Sequence, residues 1–392
     1  MGVMNYRQTI KLVAVLLLFQ VNAACQVTKL HQQNSSNKHA VEKIAERKAL
    51  DLRSDLDLDK VVSSVASSRV IYVGEIHDDY ADHLTQLEIV RRLYAINPNI
   101  AIGMEQFQQP FQEIIDRYIR GELDEKGLIR DTEWMERWKF DYRLYRPILS
   151  FAREQQIPVI ALNLSKEIVG KVSKLGFDGL SQEDKGKIPA EIDYSDKAYH
   201  ERLKSIYEKH SHSDKKGFER FLQVQLLWDE GMAERASEYL RSNPDRQLVV
   251  LAGSGHLMYG SGIPQRVSRR VQGERAIILP VGDFKAVPGV GDFLVHDAGE
   301  TLPPSGLIGI YLAQTDDGVK VDRLVPDGAA KKAGVKKDDL IRSINGSTVK
   351  TITDLKLMLM DESPGDEIKL VLFRKNLLLK DKELELVFPL GK

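Results

Sequence analysis

From residue 61 onward, short apolar runs that stop abruptly at a polar residue alternate with apolar positions at helical spacing. Val70-Ile71-Tyr72-Val73 is β-branched or aromatic without alternation, the pattern of a parallel strand covered on both faces, and it runs into Gly74-Glu75-Ile76-His77. Asp79 with Asp82 reads as a capping box, and Leu84, Leu87, Val90 and Leu93/Tyr94 then mark one face of a helix. Residues 100–105 predict a second strand closing on Glu105, residues 158–163 a third, residues 247–252 a fourth that breaks at Gly253-Ser254-Gly255-His256, and residues 276–281 a fifth. Helical periodicity fills the intervals at 110–119, 134–155 and 218–241; in the last, Phe221, Val224, Leu227 and Trp228 share one side while Gln225 and Asp229 share another.

Regular βα alternation argues for a largely parallel sheet covered by helices. Residues 181–217 interrupt it as a highly charged stretch with weak periodicity, expected to be a helical excursion or a lid over the sheet end. Its His200, His210 and His212 fit a solvated charged face and carry no site role. Residues 283–304 are rich in Gly and Pro and mark a boundary. Beyond them the period drops to two, with Ile368, Leu370 and Leu372, then Leu384, Leu386 and Phe388, as in half-buried antiparallel sheet. The expected fold class is α/β, a mostly parallel sheet covered by helices, followed by a small, mainly β domain.

Charge alters this picture little. With Lys+Arg 56 against Asp+Glu 57, the formal net charge of -1 gives no electrostatic case for nucleic acid. The 392 residues, 42% hydrophobic, suffice for two domains and a leader. Arg7 and Lys11, the apolar run from Leu12 to Phe19 and small residues before Cys25 read as a secretory signal, far shorter than the roughly 20 residues of a membrane span. The sole cysteine placed there resembles a bacterial lipobox, which implies lipidation of Cys25 and a tether along 26–60; an ordinary signal peptide with Cys25 incidental is the alternative. Residues 41–52 have the pattern of a short docking helix. One thiol permits no disulfide within the chain, so the fold must rest on core burial. The expected organisation is a signal peptide at 1–24, a lipid-anchored tether at 25–60, an α/β domain at 61–285, a linker at 286–304 and a β domain at 305–392.

The chemistry gathers where strands end. Two Gly-x-x-His units, at Gly74–His77 and Gly253–His256, close strands far apart in sequence, and Glu105 closes another. In a parallel sheet all three ends lie on one edge, where ligands of open α/β sheets bind. Two imidazoles plus carboxylates can coordinate a divalent metal with one position open, or line a haem pocket. The same residues can also serve as satisfied structural polar groups, with Asp78 and Asp79 capping the helix.

Val73-Gly74-Glu75-Ile76-His77-Asp78, Gly103-Met104-Glu105-Gln106-Phe107, Tyr145-Arg146-Pro147-Ile148-Leu149 and the Gly253–His256 turn resemble the ChaN family of haem-binding lipoproteins, in the order expected of its wider Tiki/TraB superfamily. The resemblance covers roughly residues 61–285. It implies a site at Gly74, Glu75, His77, Glu105, Gly253 and His256, haem as cofactor, and a tyrosine in its ligation, for which Tyr80, Tyr142 and Tyr145 are candidates. Tiki proteins are described as metal-dependent proteases, so the resemblance also admits a divalent metal on His77, Glu105 and His256, with Glu75 or Glu105 activating water as general base. The absence of His-Glu-x-x-His excludes the familiar zinc-protease motif, and the absence of Cys-x-x-Cys-His excludes covalent c-type haem.

Val325-Pro326-Asp327-Gly328-Ala329-Ala330, Ala333-Gly334-Val335, Asp339-Leu340-Ile341 and Ile344-Asn345-Gly346 resemble bacterial PDZ domains. Leu307-Ile308-Gly309-Ile310 matches the loop whose backbone N–H groups take a peptide's C-terminal carboxylate, and a helix near Thr353-Asp354-Leu355 would wall the groove. The expectation is a lipid-anchored haem-binding protein of haem or iron uptake, on the periplasmic face of the outer membrane. Its PDZ domain would recruit the C-terminus of an unidentified partner, and a homodimer is one expected assembly. Two alternatives stay open: a metal-dependent hydrolase or protease, and a non-catalytic PDZ scaffold.

Overall fold

A computed structural model describes residues 56–210, 215–282, 286–296, 298–375 and 380–392. The expected signal peptide, Cys25, most of the tether, the helix at 41–52 and His212 lie outside the described residues. No described helix is long and apolar enough to cross a membrane.

The first sheet has six strands in the order β3-β2-β4-β1-β5-β6, every neighbouring pair parallel. They are β1 (Val70–Glu75), β2 (Ile100–Gln108), β3 (Val159–Asn163), β4 (Gln247–Gly253), β5 (Arg275–Pro280) and β6 (Phe293–Val295). All residues of β1, β2 and β4 are buried, as their continuous apolar runs predict for strands covered on both faces. One face packs Ile71, Val73, Ile102, Met104, Val249 and Leu251 into the larger core, and the other packs Val70, Tyr72, Ala101, Leu248, Val250 and Ala252 into a second. Flanking helices include Tyr80–Ile96 after β1 and the 28-residue Lys215–Ser242 before β4.

The structure departs from expectation in four places. β2 runs three residues past Glu105, so that carboxylate sits within the strand. The stretch read as linker contributes β6, which pairs with β5. The 134–155 pattern splits into Trp134–Arg137, a 3-10 turn at Tyr142–Leu144 and Arg146–Glu154, because Lys139 takes a left-handed φ of 73° that no continuous helix accommodates. Finally, Asp82 does not complete a capping box: Asp79 caps the helix, while Asp82 accepts from the Ile76 amide at 2.7 Å.

The second sheet is antiparallel, in the order β12-β11-β9-β8-β7, with the short β10 (Ser347–Thr348) paired to β9. Its strands are β7 (Ile310–Thr315), β8 (Gly318–Leu324), β9 (Leu340–Ile344), β11 (Glu367–Arg374) and β12 (Lys382–Pro389). The helix Ile352–Leu359 opens with a full capping box between Thr351 and Asp354.

Candidate functional site at the strand ends

Because β1, β2 and β4 are adjacent and parallel, their carboxyl ends share an edge, and Glu75 lies in register with Gly253. Glu75 is fully buried there and heavily partnered. Its Oε1 accepts from Gln106 Nε2 at 3.0 Å and from the Tyr145 hydroxyl at 3.4 Å, and lies 2.7 Å from His77 Nδ1. Its Oε2 lies 3.0 Å from His83 Nδ1. Burial alone would raise the Glu75 pKa, but the charge on His83 and hydrogen bonds from His77 and His83 hold it well below the usual carboxylate range. The second nitrogen of His83 faces the His77 carbonyl at 3.2 Å, so the ring has an acceptor on each side. That arrangement favours the doubly protonated imidazolium. Burial opposes the charge, yet Glu75 raises the His83 pKa.

A second cluster mirrors the first. His256 Nδ1 lies 2.7 Å from the buried Asp229, and its Nε2 lies 3.5 Å from Glu105 Oε1. Burial lowers the His256 pKa, but the charge of Glu105 and the bond to Asp229 outweigh it and push the ring up to about 9. Asp229 also accepts from the Tyr199 hydroxyl at 2.6 Å, delivered by the inserted helix Lys197–His210. Glu105 Oε2 accepts from the Gly253 amide at 2.7 Å.

Gly253 joins the clusters. A Cβ built there would stand 2.8 Å from His77 Cε1, 3.1 Å from its Nε2 and 3.6 Å from Glu105 Oε2, so the missing side chain is what lets the His77 ring lie against β4. Gly74 is equally constrained, its built Cβ meeting Leu279 and Ser254 at 2.7 Å. The other side of His77 is aromatic, with Trp138 at 4.9 Å edge-on and Phe140 at 5.2 Å. His77 remains the open member of the group, its side chain 31% exposed against 13% for His256 and none for Glu75.

The structure therefore brings together Gly74, Glu75, His77, Glu105, Gly253 and His256. One expectation changes. Among the described residues, no group of three or more His, Cys, Asp or Glu side chains is placed to hold a metal ion, so His77, Glu105 and His256 do not form the expected metal set. The physical reason is that the ring nitrogens already face carboxylates within the site: His256 lies 2.7 Å from Asp229 and 3.5 Å from Glu105, and His77 Nδ1 lies 2.7 Å from Glu75. Tyr142 and Tyr145 are buried, and burial pushes both phenols well above their ordinary range. Tyr145 holds Glu75 and the His77 carbonyl, the latter at 3.1 Å, and Tyr142 packs against Trp134, so neither turns a hydroxyl outward. Tyr80, the first residue of its helix, is half-buried.

His83, Gln106, Asp229, Tyr199, Trp138 and Phe140 complete the site without having been singled out. Gln106 follows Glu105 directly, and His83 stands six residues after His77, both visible as polar residues beside a motif. Asp229 was legible only as a polar position on its helix.

In the second sheet, β7 is the edge strand, so its outer side takes no neighbouring strand of that sheet. Gly309, just before it, has φ of 77°, and a Cβ there would stand 3.0 Å from Gly328 Cα. Leu307 is exposed, Ile308 is buried and Ile310 half-buried. Facing β7, the helix Ile352–Leu359 is tied to it through Gln314, which donates to the Lys350 carbonyl and accepts from the Ile352 amide, each at 3.1 Å.

A family model described as "Haem-binding uptake, Tiki superfamily, ChaN" matches residues 61–267, more than half of the chain. A PDZ model matches residues 306–386. Among solved structures, the chain resembles that titled "Cofacial heme binding to ChaN of Campylobacter jejuni", with a TM-score of 0.51 and 15% identity, covering 61% of this chain and 91% of that one. At that identity the likeness speaks for the fold. A curated relative, Protein RETICULATA-RELATED 5, chloroplastic, of Arabidopsis thaliana, is 24% identical over 284 residues; the match spans 62% of this chain and 36% of the relative.

Proposed function

Since the chain belongs to the ChaN family of haem-binding proteins in the Tiki superfamily and carries a C-terminal PDZ domain, we propose that it binds haem at the strand-end site and serves haem or iron uptake at the cell envelope. The observation that carries this reading is the family match over residues 61–267.

The donor chemistry at the sheet edge suits the cofactor. His77 is an imidazole backed through Nδ1 by a buried carboxylate, the second-shell pairing that orients a ligating ring and raises its basicity. Trp138 and Phe140 offer an aromatic, apolar wall beside it, and the ring is partly open to solvent. Its Nε2 edge rests toward Gly253, so ligation through that nitrogen requires the ring to turn away from β4, against the aromatic wall. His256, held between Glu105 and Asp229, is assigned to shaping the charge of the site. When bound, haem supplies the iron chemistry; these residues bind and orient it.

In this reading Cys25 carries the lipid that holds the protein at the periplasmic face of the outer membrane, a proposal supported by the leader pattern, and the PDZ domain docks a partner's C-terminal carboxylate at Leu307–Ile310. Titrating hemin into the purified chain and recording the Soret band tests the core of the proposal. A saturable spectrum altered in a His77→Ala/His256→Ala variant is expected. A saturable spectrum identical in the variant places haem elsewhere, and no defined complex overturns haem binding.

A further inference from the structure

The helix Ile352–Leu359, which walls the PDZ groove, belongs to two cores at once. Leu355 and Leu359 pack in the PDZ core, whereas Leu357 and the following Met360 are buried in the same cluster as Phe107, Trp134, Tyr142 and Tyr145 of the haem domain. Polar bonds fix the same contact. Thr353 donates to Glu136 at 2.6 Å, Arg130 lies 3.4 Å from Asp354, and Arg146 lies 2.7 Å from Asp361.

Those haem-domain partners come from the segment that lines the site. Glu136 is in the turn of helix leading to Trp138, whose ring touches His77. Arg143 and Arg146 flank Tyr145; they reach Pro303, Ser305 and Asp361, while Tyr145 itself donates to Glu75 and the His77 carbonyl. Residues 130–146 thus grip the PDZ helix on one side and wall His77 on the other.

Resting on the haem reading above, we propose that occupancy of the PDZ groove and occupancy of the His77 site are thermodynamically coupled through residues 130–146, each ligand lowering the affinity for the other. A peptide strand added to β7 needs about 4.8 Å beside it, and the Gln314 bridges pin the start of the helix to that strand. Admitting the peptide pushes the helix toward residues 130–146. Ligation at His77 turns the ring against Trp138 and Phe140 and presses the same segment the other way, toward the helix. The two displacements oppose each other across residues 130–146, so whichever ligand arrives first works against the second, and linkage makes the effect reciprocal.

The test uses the full chain in detergent, hemin, and an equimolar mixture of synthetic decapeptides with free carboxylates ending in Ala, Val, Leu, Ile or Phe, with the amidated mixture as control. Amide hydrogen exchange reports protection of β7 and uptake over 134–146, and hemin titration reports affinity. The free-carboxylate mixture is expected to protect β7, to slow exchange over 134–146 and to weaken hemin binding about fivefold or more. Thr353→Ala/Asp361→Lys is expected to keep β7 protection and lose the other two effects. A second variant, Arg130→Glu/Arg143→Glu, repeats the test from the haem-domain side. Protection of β7 with no change over 134–146 overturns the coupling, as does the absence of β7 protection at millimolar peptide. A response over 134–146 in a chain that binds no hemin leaves the mechanical link standing and removes the haem reading.

Discussion

A Cβ on Gly253 would stand 2.8 Å from the His77 ring, whereas one on Gly255 would meet nothing within 4 Å. Gly253→Ala is therefore expected to dislodge His77, to cost about 1–3 kcal/mol of stability as an overpacked substitution, and to weaken hemin binding. Gly255→Ala, two residues away, should leave both unchanged, so paired melting curves and hemin titrations separate a specific steric role from general glycine content. His256 gives a prediction in pH. Its folded pKa, pushed up to about 9 chiefly by the charge of Glu105 against the opposing effect of burial, exceeds the ordinary 6.5. Its protonated form is thus worth more folded than unfolded; the contribution is whole below about pH 6.5 and is lost as pH rises through about 9. At roughly 1.4 kcal/mol per unit, the loss is on the order of 3 kcal/mol. Urea denaturation of parent and His256→Asn between pH 6 and 10 checks this: the parent should lose stability across that window, and the variant should show a flatter profile. Glu75, held low, acts oppositely, stabilising above its unfolded pKa near 4.5 and failing only in acid.

At the scale of elements, the strands and the residues that close them were readable because a parallel sheet writes itself as continuous apolar runs and sends every carboxyl end to one edge. Glu75, His77, Glu105 and His256 could be placed together for that reason. His83, Asp229 and Tyr199 could not, since they come from helices whose facing is set by tertiary packing rather than by an alternating pattern. β6 escaped because three half-buried residues in a Gly- and Pro-rich stretch carry too short a signal. In the second sheet, the edge position of β7 and the left-handed Gly309 lead to a separable prediction. Gly309→Asp adds a side chain at φ 77° against Gly328, so it should abolish capture of free-carboxylate peptides on a sensor surface while leaving the hemin spectrum intact. A variant that loses both has unfolded, and far-UV circular dichroism distinguishes that case.

For the whole molecule, the apolar pattern of 352–360 announces a helix but cannot say that its faces serve different cores, because Leu355 and Leu357 look alike in sequence and are equally buried. This sharing makes a claim about cooperativity. All three tryptophans, Trp134, Trp138 and Trp228, lie in the haem domain, so their fluorescence reports its unfolding alone. Leu357→Ala truncates a side chain contributed by the PDZ helix, and a buried Leu→Ala change costs about 2–5 kcal/mol. If the domains were independent, the tryptophan-monitored denaturation midpoint would stay fixed while the PDZ sheet weakened. With Leu357 and Met360 buried in the same core cluster as Trp134 and Tyr145, the tryptophan midpoint should instead fall. Leu370→Ala, deep in the PDZ core, should disturb that midpoint less, since Leu370 belongs to the PDZ cluster. The contrast between two leucines of one domain, read through fluorophores of the other, distinguishes a shared core from two modules on a string.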